Sequence, residues 1–338
     1  MNALRLTAPT LLAICIIVVV IAGEAIVFTS SHNDYSSDIA AEGGSIGYVI
    51  NGKGTHEYDA ISLSGGLDRP KAVAVYYDPA YASDYEKVSV AVGGRALDQQ
   101  YYVQQMGPTL QLRDIGNVVV CDAAGLKDFI SANGKDSAVI CLSGALPDTV
   151  YDGTSGSPII EWVSAGGRLY WAGNVIGAEI STKGGLVPVK DGTSLFLGTE
   201  CVDASDAKAY GSVKGDGLSD ALSLLNNDLR YGVVTGSLPS DRQHLELGYT
   251  DGERSSISIV GLGDGMVCIV AGDYSNFQRI DLAQIVASGI SPSTELVDAE
   301  HGKVSGTVRG SLEAGDHVYI CIGGDFAVFG KLHGVGSE

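Results

Sequence analysis

Positive charge is what this sequence has least of. Lysine and arginine number 21 against 40 aspartates and glutamates, a formal net charge of −19 over 338 residues. A surface of that sign repels phosphate backbones, so nucleic acid is excluded as an expected partner. Cysteine is sparse as well. The six cysteines form no C-x-x-C pair, which removes zinc ribbons and thioredoxin-type redox motifs. There is no G-x-x-x-x-G-K-[ST] and no G-x-G-x-x-G, so no phosphate-cradling loop announces a nucleotide. No His-rich or Glu-x-x-His pattern suggests a metal, no cofactor is implied, and no Asn-x-Ser/Thr acceptor is present. No internal repeat or low-complexity block stands out.

Four of the cysteines, Cys121, Cys141, Cys268 and Cys321, sit in or at the end of apolar, strand-like runs. They read as small buried hydrophobes. In an oxidising compartment Cys121 and Cys141 are the pair most suited to a disulfide, on the expectation that they end neighbouring parallel strands.

What the sequence does have begins at its amino end. Residues 11–28, "LLAICIIVVVIAGEAIVF", carry one charge, Glu24. With residues 6–10 the run is long enough to cross a bilayer core, which takes about 20 residues. It exceeds the ~7–15 apolar residues usual in a cleaved signal peptide, and "GEA" is a poor cleavage site. Residues 1–29 are therefore expected to be a retained transmembrane signal anchor. Arg5 precedes the run, while His32, Asp34, Asp38 and Glu42 follow it, so the remainder is expected outside the cell. Residues 30–68 read as a polar tether followed by a β-hairpin turning at Asn51-Gly52.

From Pro70 the rhythm changes to apolar strands alternating with helices: "KAVAVYYD", "ALDQQYYVQQM", "NVVVCDA", "AGLKDFISANG", "SAVICLSGA", "SPIIEWVSAGG", "RLYWAG". Strands apolar throughout imply a mostly parallel sheet flanked by helices. Residues 69–290 are thus read as one α/β domain with flavodoxin-like layering. Within it "DALSLLNNDLRYG" is expected to be helical and "GLGDG" to turn a hairpin. Residues 291–338 read as C-terminal strands, which are expected to pair with the early hairpin as a small β accessory module.

Two stretches imitate serine-hydrolase motifs. "DGTSGSP", residues 152–158, resembles the serine loop of trypsin-like proteases, which would make Ser155 a nucleophile. Yet Ser157-Pro158 followed by Ile159, Trp162 and Val163 is a helix start, with Ser at the N-cap and Pro at the first helical position. The histidines preceding it are poorly placed: His32 lies in the tether and His56 in an expected turn. "GGSIG", residues 43–47, lacks the strand before and helix after that a nucleophile elbow requires.

The order of "VVVCDAAGLKDFI", "AVICLSGALPDTVY", "IIEWVSAGGRLYWAG" and "GDGMVCIVAGDYSN" resembles the class I glutamine amidotransferase-like fold, in its non-catalytic, envelope-associated members. The resemblance covers about residues 70–277. In active members a cysteine stands in a Gly-x-Cys-x-Gly elbow after a central strand. "GNVIG", residues 173–177, matches that elbow, and Val175 occupies the nucleophile position. Valine has no nucleophilic atom. The downstream His-x-Glu of the family has an echo in His244 and Glu246, which reads equally as an exposed strand. The resemblance thus implies the fold without the chemistry.

Open parallel sheets bind ligands at the carboxyl ends of their strands. Those ends carry Asp78, Asp122, Ser143-Gly144, Asn174 and Asp273, an acidic and hydrogen-bonding rim suited to a sugar or a cation. Each also reads as a turn or cap residue. Tyrosine is frequent, 16 against 6 phenylalanines. Tyr76, Tyr77, Tyr81, Tyr85, Tyr101 and Tyr102 gather around the first strand and helix, as contact residues or as semi-buried packing. The expectation is a membrane-anchored, extracytoplasmic binding or structural protein whose partner is an envelope protein or a glycan. The alternative is an extracytoplasmic hydrolase using Asp122 and Asp273, or Ser155.

Overall fold

The computed structural model describes residues 54–64, 68–83, 91–92, 95–96, 99–111, 113, 115–204, 214–215, 222, 224–226, 228–272, 276–306, 317–321 and 326–336. The anchor (1–29), the tether and the first expected hairpin strand, Tyr85 and Asp273 lie outside them. Among the described residues no helix is long and apolar enough to cross a membrane.

The chain divides into two compact units. The smaller draws on both ends of the chain: Met1–Ala60, Glu300–Ile320 and Gly330–Glu338. Its described part belongs to a four-stranded sheet in the order Glu295–Gly306, Gly54–Ser64, Phe326–Gly336, His317–Cys321. Residue 56, expected in a turn, lies within the strand Gly54–Ser64.

The larger unit, Ile61–Ala299 with Cys321–Phe329, is built on one twisted sheet. Its labelled elements are β1 (Ala72–Tyr76), α1 (Gln99–Gln111), β2 (Val118–Cys121), α2 (Ala123–Ala132), β3 (Ser137–Cys141), α3 (Pro158–Ser164), β4 (Arg168–Ala172), α4 (Gly192–Leu197), β5 (Gly232–Val234), β6 (His244–Thr250), β7 (Arg254–Leu262), β8 (Gly265–Val270) and α5 (Asn276–Ser288). The sheet runs β5, β7, β8, β4, β3, β1, β2, with Val202–Asp203 beyond β5 and β6 also paired to β7. The strands from β8 to β2 are parallel. Those from β5 to β8 are antiparallel, with β7 and β8 forming a hairpin around residues 263–264.

Burial explains why the central strands carry no alternation. Every residue of β1, β3 and β4 is buried, because helices cover both faces. One face packs Ala74, Tyr76, Val139, Cys141, Leu169, Trp171, Val267 and Ile269 against α2 and α3. The other lies under α1 and α5, whose Met106, Leu110, Leu282 and Val286 are fully enclosed. At the edge, β2 behaves differently: Val119 and Val120 are 43% and 53% exposed. Its valines come from edge position rather than from burial.

Two helices depart from the expected pattern. α1 runs past Gly107-Pro108 to Gln111, because Met106, Thr109 and Leu110 are buried against its neighbours and outweigh the proline. The expected helix over 220–232 is absent among the described residues there: 224–226 and 228–229 are irregular and 230–231 form a turn. Its backbone is bound by a side chain from α5, described below.

Candidate functional site

Strand order 2-1-3-4 reverses direction between β1 and β3, which opens a crevice at their carboxyl ends. Three segments converge there: the loop after β1, the loop after β3, and a hairpin of Glu179–Thr182 with Gly185–Pro188. The hairpin is tied down on both sides. Leu146 and Pro147 pair with Ile180 and Ser181, Asp148 N–H donates to the Ser181 carbonyl (2.9 Å), and Ala82 N–H to the Thr182 carbonyl (3.0 Å). The Ser83 hydroxyl donates to the Ser143 carbonyl at 3.1 Å.

The groups that face solvent at this crevice are Tyr81, Asp148 and Lys183. The Tyr81 hydroxyl donates to Asp148 Oδ1 at 3.1 Å. Lys183 Nζ stands 5.7 Å from the centre of the Tyr81 ring, within cation–π range. The Tyr81 phenol is pushed up from its ordinary value, first by desolvation and then by Asp148, Asp78 and Asp122. An aromatic face with a carboxylate and an ammonium beside it can stack a sugar ring or a peptide side chain and hydrogen-bond its edge. Asp148 and Lys183 escaped the sequence reading because they lie 65 and more residues from Tyr81 and meet it only through the hairpin pairing.

The expected rim residues are mostly occupied by their own backbone. Asp78 accepts from Ala80 N–H (2.9 Å) and from Ala123 N–H (3.1 Å), closing its turn and holding the start of α2. Asp122 is the N-cap of α2 and accepts from Gly125 N–H at 2.7 Å. The Ser143 hydroxyl is buried and donates to the Ala145 carbonyl at 2.6 Å. Asn174 Oδ1 accepts from Val175 N–H at 2.7 Å, and its amide reaches Glu179 Oε2 at 3.4 Å. Asp273 lies outside the described residues. Of the described tyrosines, Tyr76 and Tyr102 are buried, Tyr101 is exposed and set edge-on to Tyr102, Tyr77 is half-buried at the end of β1 with its N–H on the Cys121 carbonyl (2.9 Å), and Tyr81 stands at the crevice.

The stretch 173–177 does not form an elbow. A nucleophile elbow leads from strand into helix. Here the strand Glu179–Thr182 follows, and Val175 is absent from the residues with positive φ. The flanking glycines have packing reasons. Gly177 has φ 75°, and a Cβ there would fall 2.5 Å from the Gly192 carbonyl oxygen. Gly173 has φ 115°, and its Cβ would fall 3.0 Å from Gly144 Cα.

Ser155 is likewise explained by a turn. Asp152 Oδ1 accepts from Thr154 N–H (3.0 Å), Thr154 Oγ1 (2.7 Å) and Ser157 Oγ (2.5 Å). Those donors lower the Asp152 carboxyl below its ordinary value, Ser157 foremost. Ser155 itself is exposed. Ser157 precedes Pro158 at the start of α3, yet its hydroxyl turns back to Asp152 and makes no cap bond to the helix. His244 is exposed, with Nδ1 3.3 Å from the Arg242 carbonyl, while Glu246 accepts from the Thr235 hydroxyl.

Cys121 and Cys141 are free. Both sit opposite Tyr76, on strands that flank β1 on either side. Two strand spacings, about 10 Å, separate them, beyond the reach of a disulfide. They are not neighbours because β1 is inserted between their strands. Burial pushes the Cys121 thiol up to about 12 and that of Cys141 up to about 11, so neither is a thiolate near neutrality. Among the described residues no group of three His, Cys, Asp or Glu side chains is disposed to hold a metal ion.

No family model and no curated protein matches the chain. Solved structures give a weak likeness. An exo-β-1,4-mannosidase from Opitutaceae bacterium strain TAV5 is 14% identical, over 65% of this chain and 36% of that one, with a TM-score of 0.38. The β-galactosidase of Rahnella sp. R3 is 20% identical over 65% and 31% of the chains, TM-score 0.38. That of Bacillus circulans sp. alkalophilus is 14% identical over 78% and 42%, TM-score 0.39. This chain spans well under half the length of each, and scores this low carry nothing about fold or chemistry.

Proposed function

We propose that this protein is a membrane-anchored, extracytoplasmic binding protein whose amidotransferase-like α/β domain is catalytically silent. What supports the reading is the loop after β4: a strand follows where an elbow needs a helix, and Val175, matched to the family's nucleophile by sequence alone, has no nucleophilic atom. The disposition of the rim supports it. Asp78 and Asp122 hold backbone amides and Asp152 holds its own turn, so these carboxylates are not a free acid–base pair. The binding surface is the switch-point crevice with Tyr81, Asp148 and Lys183, and its partner is a glycan or an envelope protein. The extracytoplasmic part of the reading rests on the apolar run at 11–28, expected to be a retained anchor with the remainder of the chain outside.

The test uses the full chain in mild detergent, screened on immobilised envelope glycans and for turnover of chromogenic glycosides and esters. Binding that weakens at least about tenfold in Tyr81→Ala, without turnover, is the expected result. Turnover abolished by Asp122→Asn or Ser155→Ala would replace this reading by the hydrolase.

A further inference from the structure

We propose that residues 225–226 and 228–230 form a strap across the carboxyl end of β8, latched by the Asp281 carboxylate of α5, and that this latch is tight in acid and loosens as the pH rises to neutrality. It is a device separate from the crevice and independent of what the crevice binds.

The geometry begins with Asp281, which has no exposed surface. Its two oxygens accept from the strap's backbone: Leu225 N–H at 2.9 Å and 3.2 Å, and Asn226 N–H at 2.7 Å. Asn226 is also buried, and its side-chain amide donates to the Ala271 carbonyl at 3.0 Å and the Ser256 carbonyl at 3.4 Å. Ala271 directly follows β8, and Gly272 N–H donates to the Arg230 carbonyl. Asp228 closes the strap on itself, with its carboxylate 2.9 Å from Arg230 Nη2. One carboxylate on a helix thus fixes the loop that lies against a strand end on the ligand-binding edge of the sheet.

The surroundings of Asp281 set the sign. From the C-terminal side of α1, Arg113 is the facing cation, but its guanidinium is shared with Gln284 Oε1 (3.1 Å) and the Thr109 carbonyl (3.0 Å). On α5 itself, Arg279 donates to the Thr109 hydroxyl. The strap brings Asp228 and Arg230, which neutralise each other. The sheet under α1 and α5 brings Tyr170 and Cys268, both held neutral by burial. Desolvation outweighs the amides and Arg113 and raises the Asp281 carboxyl to about 7. With the strap open and Asp281 hydrated, the group returns to about 4. The closed form therefore binds the extra proton. Closure is fully supported below about pH 4, declines as the pH rises, and reaches its floor above about pH 7.

Amide hydrogen exchange on the full chain reads the latch. After correction for the intrinsic pH dependence, protection at Leu225 and Asn226 is expected to fall by at least about tenfold between pH 5 and pH 7. In Asp281→Asn, which keeps an acceptor but does not titrate, that fall disappears. A carboxyl-carbon titration of the unmutated protein gives a second reading, with a midpoint near neutrality. Protection independent of pH, a fall that persists in Asp281→Asn, or a carboxyl midpoint near 4 would each overturn the proposal.

Discussion

Tyr170 carries its hydroxyl into the helix-covered face of β4 with no hydrogen-bond partner of good geometry among the described residues. The neighbouring Arg168 guanidinium is spent on Asp68, at 3.0 Å from Oδ2. A buried polar atom left unpaired costs about 1–3 kcal/mol, and removing it leaves a phenyl ring of nearly the same shape. Tyr170→Phe is therefore expected to stabilise the protein by about 1 kcal/mol, seen as a later midpoint in urea; an earlier midpoint would mean that the hydroxyl is satisfied. The loop glycines make the opposite case. Gly177 lies against the Gly192 carbonyl with φ 75°, so Gly177→Ala combines a backbone clash with a strained dihedral. Its expected cost is about 3 kcal/mol or more. The sequence showed both glycines of "GNVIG" but not their reason. A Gly-x-x-x-Gly spacing is the same whether it frames a nucleophile or lets two backbones touch, and Gly192 is distant in the chain. The Asp152–Ser157 turn was equally ambiguous, since a serine loop and an Asx turn draw on the same residue types.

At the scale of elements, Pro108 sits inside α1 although it lacks an N–H and crowds the preceding turn. The residue is exposed, so its side chain packs against nothing that repays it. Pro108→Ala should restore one backbone bond and raise stability by roughly 1–2 kcal/mol after the entropy gained by the unfolded chain, or several degrees in Tm. A fall in Tm would show that the helix needs the proline. The apolar runs at 72–76, 118–121, 137–141 and 168–172 were legible as strands because they lack the 3.6-residue spacing and are bounded by turn residues. The valines of β2 were legible as a strand but not as an edge, because position in a sheet follows from topology, which no local run encodes. The run at 220–232 misled for a related reason. Leu222, Leu225 and Leu229 recur at i, i+3 and i+7 as on a helix, yet Leu225 is 45% exposed and Asp281, more than 50 residues on, takes the amides of Leu225 and Asn226. Tertiary hydrogen bonds there outweigh a propensity of a few tenths of a kcal/mol per residue.

For the whole molecule, charge decides the conditions under which the fold is most stable. With a net charge of −19, carboxylates must repel one another wherever cations are too few to separate them. Three buried or half-buried arginines are already committed, Arg254 to Asp251 and Asp203, Arg230 to Asp228, Arg168 to Asp68. The arginines of these pairs are largely buried, so salt screens the pairs less than it screens the excess repulsion at the surface. Raising KCl from low salt to 1 M shortens the screening length from beyond ~10 Å to ~3 Å and should raise Tm. The pH optimum follows from the same balance. The folded Asp281 carboxyl is raised to about 7, so its contribution is complete below the unfolded value near 4 and is lost as the pH climbs toward 7. Asp152 and Asp251 are lowered, Asp152 chiefly by the Ser157 hydroxyl; at Asp251 desolvation is the largest single effect and raises the carboxyl, but bonds from Arg254 and Glu253 together outweigh it. Their contributions are present above about 4 and fall away in stronger acid. The two trends cross between them, so thermal stability should peak near pH 5 rather than at neutrality. In Asp281→Asn the descent from pH 5 to pH 7 should flatten while the loss below pH 4 remains. Melting curves across that range decide it: a maximum at neutral pH in the unmutated protein would mean that the buried carboxylate is fully compensated by its amides and Arg113, and that repulsion among the surface carboxylates is too weak to shape the fold's stability.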